Sequence, residues 1–529
     1  MIMKRLRHIL GAIKERYILS LIVIFTLMST SAGESLKERY SADNIRKAEQ
    51  LNTFRSIGTI KIGGTIGTIE TYFSKPGQSR SILTLENFKI IQIFDGKRAW
   101  MKDQNGQVIE LTGPDKEQLV NTGWLMGKSY LLKSRMPGAT KFIRDTVINL
   151  ENYSVYSALP DGGDSLELYF SPESGRIEII GEYLDETEIF TYLSDFREVD
   201  GIEMPYSYET KSIIPELNST VEIYEFDINP RLDDTLFAFS INPADDYFFP
   251  DNADSVVVPI VYRGGHIFLK AAIDGHPAVY FILDSGAGIN ILSRRYADSL
   301  RLDFSGGIPA KGMSGYEATT VTGIDSLRIG DLKLLRQKMA IIDLSGIGLS
   351  VPDGLLGGLL GYDLLSRFPL RIDYVGETLI FYNPVVYQPP SIDYAVDLEY
   401  NMKVPVVDAE ICGASGKFLI DLGNSLGLIL HRPFVDANNL NTKFTDINDI
   451  TRDISGVGGK SEAYSAMAAY FAFGPAYLKE LRILVADGNL GILKSTEVDG
   501  NIGNGLLQNF NVIVDYPGQK IYIMPLKYR

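Results

Sequence analysis

The sequence predicts a mainly β chain, in which a curved antiparallel sheet domain is followed by a double-β unit of two lobes. Three observations predict it. Period-two alternation of apolar residues, broken by hairpin dipeptides, runs from about Ser41 to Phe239. Beyond Val256, one pattern of apolar strand, Asp-x-Gly, small-residue turn and apolar strand occurs twice. Hydrophobic residues make up 45% and charged residues 22% of the 529 residues, a globular composition long enough for about three domains.

The chain begins with Lys4, Arg5, Arg7, Lys14 and Arg16, followed by an apolar run from Tyr17 to Met28 and a small-residue exit at Thr30-Ser31-Ala32-Gly33. A positive segment, an apolar run of about a dozen residues and a small-x-small exit describe a secretory signal. Residues 1–32 are therefore expected to be a signal peptide cut after Ala32, or an N-terminal membrane anchor. The run falls short of the roughly 20 apolar residues of a comfortable span.

Residues 41–245 read as one β-rich domain. A short helix around Ala42 to Leu51 leads in, and a second, from about Pro114 to Leu125, interrupts the strands. Asp95-Gly96 and Asn105-Gly106 are hairpin dipeptides. Asn242 to Asp254 is a Pro- and Asp-containing connector, and the two lobes are expected at 255–388 and 394–529.

Composition excludes several functions. The net charge of −15 leaves no basic face for a dedicated nucleic-acid binder. One cysteine, Cys412, permits neither an internal disulfide nor a Cys-based metal site. His8, His266, His276 and His431 show no metal-ligand spacing, so no metal or organic cofactor is expected. Carboxylates are left to carry the chemistry.

The first copy of the repeated pattern reads Tyr280-Phe-Ile-Leu-Asp284-Ser285-Gly286-Ala287, and the second Lys417-Phe-Leu-Ile-Asp421-Leu422-Gly423-Asn424. Downstream, Gly312-Met-Ser-Gly315 matches Gly456-Val-Gly-Gly459, Gly358-Leu-Leu-Gly361 matches Gly500-Asn-Ile-Gly503, and Ile372-Asp-Tyr374 matches Val514-Asp-Tyr516. The period is far too long for a solenoid repeat and reads as a domain duplication.

This order resembles the aspartic proteases, above all the retroviral-protease-like branch found in bacteria. The resemblance covers about Val256 to Pro525. It implies Asp284 and Asp421 as a catalytic dyad across a pseudo-twofold axis, with Ser285, Gly286, Ala287, Leu422, Gly423 and Asn424 as active-site loops. It implies flaps at Gly312 and Gly315 and at Gly456 and Gly459, and a monomer with an internal pseudo-dimer. Two carboxylates about 3 Å apart share one proton, so one can activate water while the other serves the scissile carbonyl. More weakly, Phe94-Asp-Gly-Lys-Arg-Ala-Trp100 and the turn Asp200-Gly-Ile-Glu-Met-Pro205 resemble periplasmic lipoprotein-carrier and lipoprotein-sorting-like domains.

Two departures stand out. Leu422 occupies a Thr or Ser position and cannot donate across the axis as Ser285 can, and Asn424 replaces Ala. The Ser285 hydroxyl then needs another partner, such as a backbone carbonyl. A weakened second lobe and a homodimer pairing two copies of Asp284 therefore stay open beside the single-chain dyad. The string Gly423-Asn-Ser425-Leu-Gly427 imitates a nucleophile elbow, but an apolar strand follows it and no acid lies between it and His431. Tyr316 and Tyr464 are expected to line the cleft, His431 to sit at a surface or cap, Cys412 in the core, and Asp373 and Asp515 to cap turns.

The expected function is an exported aspartic endopeptidase acting on peptide or protein substrates in the periplasm or cell envelope, with membrane association through the N-terminus if it stays uncleaved. The alternative is a catalytically inactive protease-like protein that binds extended peptides or envelope components.

Overall fold

The computed structural model describes residues 35–526 except 87, 185–186, 240–245, 312–315, 348, 402, 457–458, 488–491 and 495. The expected signal at 1–32 and the glycines Gly312 and Gly315 lie outside the described residues. Among the described residues, no helix is long and apolar enough to cross a membrane.

The chain is mainly β, with an antiparallel sheet domain followed by a bilobal double-β unit. The first sheet has 13 strands in two meanders. The strand Thr53–Ile62 ends one meander and Ser219–Ile228 the other, and these two pair antiparallel to join them. Alternation decides which face is buried: Phe54, Ser56, Gly58 and Ile60 point inward along Thr53–Ile62. The helix Gly113–Met126, with proline in its first turn, crosses between the meanders. Its Leu119, Val120 and Trp124 pack against Phe94 and Leu111 of one meander and Tyr156, Leu168 and Phe170 of the other. The sequence placed this helix and the helix Ala42–Gln50 correctly, because each carries its own start signal.

In the bilobal unit, six strands run side by side across the lobes: Ser255–Arg263, Thr378–Tyr382, Leu370–Asp373, Phe510–Asp515, Lys520–Pro525 and Ala395–Asp397. The central pair joins the lobes, with Leu370 opposite Val514 and Ile372 opposite Val512. One apolar core continues through both lobes, from Val256 and Leu283 to Leu422, Ile502 and Ile523. Asp373 accepts the Gly376 N–H at 2.7 Å and Asp515 the Gly518 N–H at 2.8 Å, so both aspartates cap turns.

The first domain is bolted to this unit. The Asp103 Oδ1 accepts the Asn105 and Gln107 N–H groups at 2.9 Å and shapes the hairpin turn. Its Oδ2 takes the Lys403 ammonium of the second lobe at 2.8 Å, with both side chains almost wholly buried. Asn105 exchanges two hydrogen bonds with the Lys338 backbone of the first lobe, at 2.7 and 3.2 Å. One turn therefore touches both lobes. Beside it, Val321 of the first lobe is buried among Ile60, Leu85 and Phe88 of the first domain.

Removing one partner of a buried ion pair leaves the other charge stranded. Lys403→Met is expected to lower the unfolding free energy by about 3 kcal/mol. Chemical denaturation checks this, and a change within about 0.5 kcal/mol would place the pair in solvent.

Candidate active site

Asp284 follows the strand Val279–Leu283 and Asp421 ends the strand Ala414–Asp421. In each lobe a later glycine-bearing strand wedges beside the loop. Leu356–Leu360 runs parallel to Val279–Leu283 and antiparallel to Ile291–Ser293. Gly500–Gly503 runs parallel to Ala414–Asp421 and antiparallel to Leu428–His431. The loop is thus held from both sides, and its aspartate backbone is pinned: Asp284 N–H donates to the Leu360 carbonyl at 2.9 Å.

The two loops meet tip to tip. A Cβ on Gly286 would stand 2.8 Å from Asp421 Oδ1, and one on Gly423 would stand 2.3 Å from Asp284 Oδ1. Any side chain at either position would push the carboxyls apart, which is the physical reason for glycine here. The two carboxyls therefore lie side by side, close enough for each to act on the other's charge. Burial first, and the Asp421 charge second, hold the Asp284 carboxyl well above the usual carboxylate range. Backbone N–H groups of Gly286 and Ala287 oppose that rise, with Gly286 at 2.9 Å.

Ser285 crosses the lobe boundary. Its hydroxyl donates to the Ile420 carbonyl at 2.6 Å and accepts the Leu422 N–H at 2.9 Å. The backbone carbonyl supplies the partner that Leu422 cannot. Leu422 itself is fully buried in the shared core. The second crossing is built elsewhere: Asn504 donates to the Gly265 carbonyl at 3.0 Å and the Leu422 carbonyl at 2.6 Å, and accepts the Tyr374 hydroxyl at 2.7 Å.

Around Asp421 the expected loop residues Gly423 and Asn424 are joined by Asn501, whose role the sequence did not reveal. Gly423 and Asn424 N–H groups reach its Oδ1 at 2.9 and 3.1 Å, and Asn501 Nδ2 reaches its Oδ2 at 2.7 Å. Asn501 Oδ1 accepts from Asn424 Nδ2 at 2.9 Å. The signal was present, since Asn501 stands in the second Gly-x-x-Gly where the first copy has Leu359. His266 was also missed. It lies beside Asp421 and the Gly423 backbone, and burial holds its imidazole below the usual range.

Other expectations are corrected. His431 is the N-cap of the helix Arg432–Ala437, one of its two expected places, but it is fully buried rather than at the surface, with Nδ1 2.8 Å from the Val498 carbonyl. Cys412 is only half-buried, in a turn at φ 48°. The Tyr464 hydroxyl donates to Asn441 at 2.5 Å, which ties it to its own lobe. Gly456 and Gly459 face each other where the strands Thr445–Gly456 and Gly459–Phe473 meet. Among the described residues, no cluster of His, Cys, Asp and Glu could hold a metal.

Residues 269–364 match the aspartyl protease family, so this part of the chain is similar to aspartyl proteases. None of the curated proteins matches the chain. Among solved structures, the retropepsin-like aspartic protease from Rickettsia conorii is 22% identical over 24% of this chain and 90% of its own, with a TM-score of 0.19. The aspartic proteinase from Irpex lacteus is 12% identical over 51% of this chain and 97% of its own, with a TM-score of 0.35. A LolA superfamily protein from Nitrosomonas europaea is 13% identical over 38% of this chain and 98% of its own, with a TM-score of 0.28.

Ser285→Ala removes a buried hydroxyl and strands a carbonyl and an N–H across the lobe boundary. The expected loss is about 2 kcal/mol, seen as a lower thermal midpoint. An unchanged midpoint would mean that the crossing carries no load.

Proposed function

We propose that this protein is an exported aspartic endopeptidase whose two lobes, related by duplication, each contribute one carboxyl to a dyad of Asp284 and Asp421. One observation carries the reading: the two half-buried carboxyls face each other where the loops meet, each within reach of the other loop's glycine, and are backed by N–H groups from the glycines that follow them. A structural ion pair would put a cation there, whereas two acids at one point are expensive unless they work as an acid and a base. The similarity of residues 269–364 to aspartyl proteases supports the same reading.

The chemistry follows from the shared proton. The ionised carboxylate accepts a proton from a water molecule, whose oxygen attacks the scissile carbonyl. The protonated partner donates to the carbonyl oxygen as negative charge develops on it. Breakdown of the tetrahedral species returns a proton to the leaving amine. An extended peptide suits a site flanked by β-hairpins, because it can pair as an added strand. Export is proposed from the N-terminal signal pattern alone.

Asp284→Asn and Asp421→Asn are each expected to lower proteolysis by about 1000-fold or more. The assay is cleavage of a diverse peptide mixture read by mass spectrometry, with circular dichroism to show that both variants stay folded. Full activity in the Asp421 variant would favour one-lobe or homodimer chemistry. Tight peptide binding with no cleavage by the unaltered protein at any pH from 3 to 8 would favour an inactive peptide-binding protein.

A further inference from the structure

We infer that Asn501, oriented by Asn424, is a positioning residue that makes the dyad asymmetric, with Asp421 as the general base and Asp284 as the carrier of the shared proton. The chemistry rests on the proteolytic reading above, while the geometry can be tested apart from it.

The polarity of the relay is fixed by the backbone. Leu426 N–H can only donate, and it points at Asn424 Oδ1 at 2.9 Å. The Asn424 amide therefore turns its Nδ2 to Asn501 Oδ1, at 2.9 Å. Asn501 in turn must present Nδ2 to Asp421 Oδ2, at 2.7 Å. Neither amide can flip without setting donor against donor or acceptor against acceptor. Both asparagines are buried, so no solvent relieves a mismatch.

Counted oxygen by oxygen, Asp421 is committed as an acceptor. Its Oδ1 takes two backbone N–H groups and its Oδ2 takes the amide of Asn501. A proton on Oδ2 would make that oxygen a poorer acceptor for the Asn501 amide. In the first lobe the matching positions are Ala287 and Leu359, which have no polar side-chain atom. Backbone N–H groups of Gly286 and Ala287 serve Asp284 as those of Gly423 and Asn424 serve Asp421, so the Asn501 amide is the difference between the two acids. A proton on Asp284 therefore leaves Asp421 as the charged, stronger acceptor, whereas a proton on Asp421 weakens its bond from Asn501.

The catalytic sequence acquires a direction. Asp421 takes one proton from water as the water oxygen bonds to the carbonyl carbon. The carbonyl π pair moves to its oxygen, which takes the Asp284 proton. As the C–N bond breaks, its electron pair goes to nitrogen, which takes the proton held by Asp421. Asp284 recovers a proton from the collapsing diol, and the dyad is restored with no other reactant.

The test uses the double variant Asn424→Ala/Asn501→Leu, which copies the first lobe, leaves no unpaired side-chain amide, and frees only the backbone N–H of Leu426, an exposed residue. His266 and Tyr516 also face the pair, and the variant keeps both; without the relay, ionising the pair becomes harder, so the acidic limb of the kcat/KM–pH profile should move up by about one unit. Activity on that limb then falls about tenfold, with KM unchanged. An unmoved limb, or one shifted to lower pH, overturns the inference.

Thermal midpoints give a second readout that needs no substrate. A carboxyl whose pKa is raised on folding stabilises the protein at low pH, and that stability is lost as pH rises through the folded pKa. Asp284→Asn should therefore gain on the unaltered protein between pH 4 and 8. Asp421→Asn should lose at both ends, because its amide N–H would oppose that of Asn501. A gain with pH in the Asp421 variant instead overturns the assignment. If both variants still cleave peptides, the proteolytic reading fails, and the midpoints still decide where the proton sits.

Discussion

Two carboxyl groups pressed together tolerate one negative charge between them. Most features of the bilobal unit can be read as means of bearing that constraint. The paired strand–loop–strand elements bring the acids to one point, the glycines let them approach, and N–H groups from the loops stabilise the single charge. The six-stranded sheet and the continuous core then hold the two loops in register, since neither lobe could keep its acid there alone.

The interface is reciprocal but not symmetric. Ser285 crosses to the backbone of the second lobe, and Asn504 secures the second loop from the other side. Leu422 gives up a hydroxyl and gains burial in the shared core. Its loss is local, because Ser285 finds a carbonyl acceptor. Asymmetry of this kind is open to a single chain, whereas a symmetric homodimer must use identical residues on both sides. The first domain adds a further tie, since the turn at Asp103 is seated against both lobes at once.

Much of this was legible in the sequence. Asp-x-Gly between apolar strands, seen twice, gave the fold class and the two acids, because a tight loop between strands needs those residue types locally. Helices with their own start signals were equally readable. What stayed hidden depends on partners distant in the chain. Asn501 looked like a neutral residue in a glycine element until its amide was found on Asp421, 80 residues earlier. Asn105 signalled a hairpin but not its docking on Lys338, 233 residues later. His431 ends an apolar strand, and the Val498 carbonyl, 67 residues later, gives its ring the partner that lets it be buried. The flap glycines Gly312 and Gly315 lie outside the described residues, so the first flap rests on sequence alone.

The central claim is that Asp284 and Asp421 hold one proton between them. Neutron diffraction from deuterated crystals near pH 6 tests it most directly. The account predicts a single deuteron between facing oxygens about 3 Å or less apart, on the Asp284 side. Carboxyls separated by more than about 8 Å, or a deuteron held on Asp421 against the Asn501 amide, would contradict it.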